Sequence, residues 1–142
     1  MKWGVRIVVA VLALAACSCL APQSAHMVSV DVSSWSEADS LIYENCDTLS
    51  QRNLNIAIRY NDNFKARVLP LKIGVTAPDA RYFEEVVNLQ ITHPNSVPMA
   101  TTVESLPYRS KVVLSQRGAY IFAFTPLTEV CGVEAIGIEI IN

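Results

Sequence analysis

The chain has little of what phosphate cradles and metal centres are built from. Its five glycines form no phosphate-binding loop, so nucleotide binding has no support. His26 and His93, its two imidazoles, have no ligand partner two or four residues on, and no CxxC accompanies the four cysteines, so no zinc site is expected. No stretch alternates Asp and Asn up to a closing Glu, as a calcium loop does. Basic residues are fewer than acidic ones, 11 against 13, and never form a run. That excludes an electrostatic footprint for nucleic acid or a polybasic grip on anionic lipid. Beyond residue 16, no segment sustains an apolar i, i+3, i+4, i+7 pattern for three turns.

The start of the chain has a clear pattern. Lys2 and Arg6 are the only charges before Asp31, and IVVAVLALAA follows them. A short basic head, an apolar core and a small-residue exit describe a secretory signal peptide, too short to span a bilayer. Leu14-Ala15-Ala16-Cys17 resembles the bacterial lipobox, in which a Leu and two small residues precede a lipid-modified Cys. The expected division is a cleaved signal peptide at 1–16, a lipidated Cys17 with a flexible tether at 17–26, and one domain at 27–142. Losing Lys2 and Arg6 with the signal takes the formal net charge from −2 to −4. Ser18, rather than Asp, after the modified Cys favours the outer membrane, and the absence of an acidic cluster in SCLAPQSAHM favours its periplasmic face. Membrane attachment is then covalent, since two or more acyl chains anchor stably.

Cys46 and Cys131 remain, as an even pair in an exported chain. They read as a candidate disulfide, worth about 4 kcal/mol in the chain-entropy model, or as two independent buried thiols.

After the tether the dominant period is two. Val28, Val30 and Val32 alternate with polar residues, as do Leu54, Ile56, Ile58 and Tyr60. Further alternations run through Leu69–Val75, Val87–Ile91, Tyr108–Leu114, Tyr120–Phe124 and Ile136–Ile140. Period-two segments each offer one face to a core. Seven of them predict an all-β fold, an antiparallel sandwich of immunoglobulin-like type. Asn61-Asp62-Asn63 and Gln116-Arg117-Gly118 look like hairpin turns, and Pro70 demotes its strand to an edge or implies a bulge. Ser36–Tyr43 suits one or two helical turns capped by Ser36. Thr92–Pro107, with three prolines and Met99, reads as a long loop, either functional or a simple crossover.

No catalytic set assembles from these segments. His93 has no nucleophile nearby in sequence, and the adjacent Glu84 and Glu85 would face opposite sides of a strand. The chain is therefore read as non-enzymatic, with no cofactor. Trp35 is either a core plug or a rim residue, and core packing is the default for it and for the tyrosines.

Taken together, LNIAIRYN from Leu54, GAYIFAFTP from Gly118 and the closing GVEAIGIEI from Gly132 resemble the gliding motility lipoprotein H (GldH) family of Bacteroidetes. The resemblance runs from about Val30 to Ile140. It implies an outer-membrane lipoprotein of β-sandwich type associated with cell-surface motility machinery, and carries over one functional residue, the lipidated Cys17. The expected function is protein–protein contact in an envelope assembly, with envelope proteins as partners. The alternative is a glycan- or peptide-binding sandwich lipoprotein, which an exposed Trp35 or Tyr82 would favour.

Overall fold

A computed structural model describes residues 25–94 and 100–142. The signal peptide, Cys17, most of the expected tether and Met99 lie outside the described residues. Eight strands follow one another: β1 (Ala25–Ser29), β2 (Asp39–Asn45), β3 (Arg52–Tyr60), β4 (Val68–Thr76), β5 (Tyr82–Gln90), β6 (Thr102–Val112), β7 (Gly118–Pro126) and β8 (Val133–Ile141). They form two four-stranded antiparallel sheets, ordered β1-β8-β3-β6 and β2-β7-β4-β5. The expected sandwich of antiparallel sheets is therefore present.

Its winding is not immunoglobulin-like. First strand pairs with last, second with seventh, third with sixth and fourth with fifth. This nesting is a long hairpin rolled up on itself, the jelly-roll arrangement of eight strands. Only the β4–β5 connection stays within one sheet; every other connection crosses the sandwich. Asn61–Asn63 and Gln116–Gly118 are consequently crossovers and not hairpin turns. In the first, the Asn61 side chain accepts from the Asn63 amide at 2.9 Å, and the Asn61 amide donates to the Gly132 carbonyl at 2.8 Å. Gly132 has φ +88°, and a Cβ there would lie 2.3 Å from the Phe64 nitrogen, so only glycine fits.

The alternating segments supply the core. Ile56 and Ile58 of β3, Leu69, Leu71 and Ile73 of β4, Phe122 and Phe124 of β7, and Ile136 and Ile138 of β8 are buried between the sheets. Trp35 is 1% exposed and closes one end as a core plug. Its backbone bridges Val130, and its indole N–H donates to the Glu37 carbonyl at 2.9 Å. Pro70 lies in a central strand, where no edge or bulge was needed. The β4–β7 ladder stops at Leu71–Pro126, so the absent N–H of Pro70 faces the space beyond it, and its carbonyl accepts from the Leu127 amide at 3.1 Å.

Three expectations about elements are overturned. Residues 39–45 form β2 and not a helix, because Leu41, Tyr43 and Asn45 face inward against β7. The expected loop Thr92–Pro107 is shorter, since β6 already begins at Thr102. The folded part also takes in Ala25 and His26 from the expected tether, paired with Glu139 and Ile138.

The sandwich has two distinct ends. Ala25, Ile141 and the 46–51, 77–81 and 113–117 connections lie at one; residues 30–38, 61–67, 91–94, 100–101 and 127–132 lie at the other. Nine-residue strands separate them by about 30 Å.

Candidate functional site

At the end remote from Ala25, the β3–β4 and β5–β6 connections meet around a cleft of about 430 Å³. Lys65, Arg67, Ile91, Thr92 and His93 line it. No side chain among the described residues forms an ion pair with Lys65 or Arg67. The His93 ring packs on Tyr60 and Phe64, with centroids 5.2 and 5.9 Å away, and its Nε2 lies 2.7 Å from the Ala66 carbonyl. The backbone at His93 is left-handed, φ +48°, which turns the chain out of β5 into the loop.

Behind the cleft, Glu104 of β6 points inward and is buried. It accepts hydrogen bonds from the Tyr60 hydroxyl, the Thr92 hydroxyl at 2.5 Å and the Thr92 amide at 3.0 Å. Burial pushes its pKa up, but these bonds outweigh that and hold the carboxyl below its ordinary value. Tyr60 moves the opposite way, raised first by burial and then by the hydrogen bond to, and charge of, Glu104. A carboxylate with its lone pairs engaged by fixed donors fastens the loop to β6; it is poorly placed to accept a substrate proton.

At the opposite end Arg52 is 5% exposed. Its guanidinium donates to the Asn45 Oδ1 at 2.7 Å, the Tyr43 hydroxyl at 3.1 Å and the Asp47 carbonyl at 3.1 Å, while its Nε has no partner. Asn45 in turn donates to the Leu114 and Gln116 carbonyls at 2.9 and 2.8 Å. This polar plug joins the 46–51 and 113–117 connections.

The residues singled out from sequence do not converge. His26 sits in β1 with its ring 5.1 Å from that of Tyr43, far from His93. Glu84 and Glu85 face opposite sides, as strand geometry requires. Glu84 accepts from the Tyr82 hydroxyl at 2.5 Å on the outer face, while Glu85 turns inward to Tyr108 and Arg109 of β6. Among the described residues no three His, Cys, Asp or Glu side chains gather as a metal site.

The candidate Cys46–Cys131 bridge is not formed. Cys131 is a free, exposed thiol, whereas Cys46 is disulfide-bonded elsewhere. Cys46 follows Asn45, opposite the start of β7, and Cys131 lies beyond the end of β7. The strand holds them some tens of ångströms apart, whereas bridged Cα atoms lie within about 7 Å.

Sequence reasoning missed Glu104, Arg52 and the Lys65–Arg67 pair. The Lys-x-Arg spacing in an extended segment was a legible signal for two cations on one side. Nothing local marked Glu104 or Arg52 as buried.

The outer faces of the two sheets differ. On the β1-β8-β3-β6 sheet, Asn55, Ser105 and Glu139 are joined by hydrogen bonds, and Arg59 pairs with Glu134 at 3.2 Å. On the other sheet, Ile42, Ile121, Thr76 and Tyr82 form one row across the strands. Ile42 is 63% exposed, Tyr82 60% and Val86 54%. Alanines 119 and 123 and Gly74 share this face, and the Tyr82 ring lies over Gly74, where a Cβ would come within 2.5 Å of its hydroxyl.

The strand pairing thus defines an all-β sandwich protein. No protein-family model matches the chain, and no curated protein does. Among solved structures it is similar to a chain in the "Structure of infectious bursal disease virus Gx strain", at 8% sequence identity and a TM-score of 0.36. That match covers 84% of this chain and 32% of the other. So distant a likeness carries no argument about function.

Proposed function

We propose that the chain is a non-enzymatic lipoprotein, anchored through Cys17, that acts by protein–protein contact in an outer-membrane or cell-envelope assembly. The resemblance to the gliding motility lipoprotein H family supplies the setting. The observation that supports the contact role is the exposure of Ile42, Ile121 and Tyr82, which stand in one row with Thr76 on the outer face of one sheet. Exposed apolar side chains grouped on one face mark a candidate contact surface. Tethering such a face at a bilayer raises its effective concentration for neighbouring partners. Ala25, the first described residue, stands at the end opposite the cleft, so an anchor at Cys17 would set the cleft end away from the lipid.

The anchor is tested by metabolic labelling with palmitate. The native chain should take up label, and Cys17→Ala should lose both label and normal processing. A mature chain that is unlabelled and free in the periplasm overturns this function.

Tyr82 favours the glycan-binding alternative, because its ring is exposed on the outer face of the sheet beside Gly74. Buried Trp35 does not contribute to such a platform. Binding of soluble glycans that Tyr82→Ala abolishes, with no protein partner retained, would transfer the function to that reading.

A further inference from the structure

The β5 strand ends its sheet, and no strand among the described residues pairs with its outer side. The register shows which groups are free. The Ile91 amide donates to the Arg67 carbonyl at 2.8 Å, and the Ala77 amide donates to the Arg81 carbonyl at 2.9 Å, one at each end of an unbroken β4–β5 ladder. Backbone groups alternate sides along a strand, so odd-numbered residues of β5 bond to β4. The N–H and C=O groups of Tyr82, Glu84, Val86, Asn88 and Gln90 therefore point away from the sheet. No bulge or proline interrupts them.

The other edges are less receptive. β1 has five residues, and β6 carries Pro107, broken register against β3 and a left-handed Lys111. β2 has seven residues and lies beside β1, with the His26 ring against Tyr43. Long, regular, apolar edges pair readily with another strand.

We infer that β5 receives an extended segment of a partner protein by strand addition, a segment of alternating apolar residues with a lysine or arginine opposite Glu84. This names the partner surface within the contact role proposed above and rests on it. Inward positions of the added strand would meet half-exposed Phe83 and partly buried Val87, extending the core. On the outer face Glu84 has no cation among the described residues, whereas Glu85 is already paired with Arg109. A second copy is the poorer occupant. Since the free groups belong to even-numbered residues, antiparallel self-pairing about the middle of the strand opposes Glu84 with Glu84, Glu85 with Glu85, or Val86 with Val86. The first two set like charges face to face.

The test uses the full mature chain in detergent micelles and a nine-residue peptide alternating valine with lysine and threonine. On binding, the amides of Glu84, Val86 and Asn88 should exchange with deuterium at least tenfold more slowly. Val86→Pro removes an outward N–H without touching the β4 ladder; it should weaken binding at least tenfold while protection of Phe83 and Val87 persists. Glu84→Lys, a variant with an intact backbone, should reverse the preference toward a peptide carrying glutamate instead of lysine. Unchanged exchange at the three amides, equal affinity of the proline variant, or protection that rises with protein concentration in the absence of peptide overturns the inference. Palmitate labelling is read separately, so a failure of the anchor is distinguishable from a failure of the edge.

Discussion

At the scale of single residues, three inward-facing polar side chains do most to set this sandwich apart from a plain apolar core. Asn45, Glu85 and Glu104 occupy positions where alternation calls for Leu or Val, and each is bonded to groups distant in sequence. Burying such groups is tolerable only when their partners are in place. Glu104→Gln keeps the shape but removes the charge; its oxygen can still accept from Thr92, while its NH2 faces the Tyr60 oxygen and leaves the Tyr60 O–H without its acceptor. It should cost about 2–3 kcal/mol of stability at neutral pH, measured by urea denaturation. The pH dependence has a definite sign. Because the folded-state pKa of Glu104 is lowered, its contribution is present above the ordinary carboxylate range and lost as pH falls through the folded value. The gap between native chain and variant should therefore narrow on acidification.

The same residues explain, at the scale of elements, which strands were legible. β3, β4, β7 and β8 bury an unbroken apolar row and were visible as period-two patterns. The first part of β5 was hidden by inward Glu85 with outward Glu84, and the start of β6 by inward Glu104 beside outward, exposed Val103. In β2, inward Asn45 and outward Ile42 blurred the alternation, and Ser36 mimicked a helix cap. A polar residue reads as solvent-facing until its distant partner is known, which a single sequence does not disclose. Buried Arg52 belongs to this class, since its partners come from β2 and the connection after it. Arg52→Met leaves the acceptors at Asn45, Tyr43 and Asp47 unpaired, and should cost about 2–4 kcal/mol. Limited proteolysis should then cut first within residues 46–51.

For the whole molecule, the jelly-roll winding controls which cysteines can meet. Local alternation located strands but carried no information on their pairing, so the Cys46–Cys131 bridge was open from sequence and closed by topology. In the unreduced native chain a maleimide should label Cys131 and leave Cys46 untouched until a reductant is added, as peptide mapping by mass spectrometry would report. Labelling of Cys46 without reduction would contradict its disulfide.

The start of β1 and the end of β8 lie side by side at one end of the sandwich. Under the proposed anchor through Cys17, a fluorescent protein or affinity handle joined after Asn142 by a short linker would crowd the end of the domain that carries Ala25. A short epitope spliced into the connection between β7 and β8 would instead stand on the opposite rim of the sandwich. The two placements would report opposite accessibility to the same antibody on the same envelope.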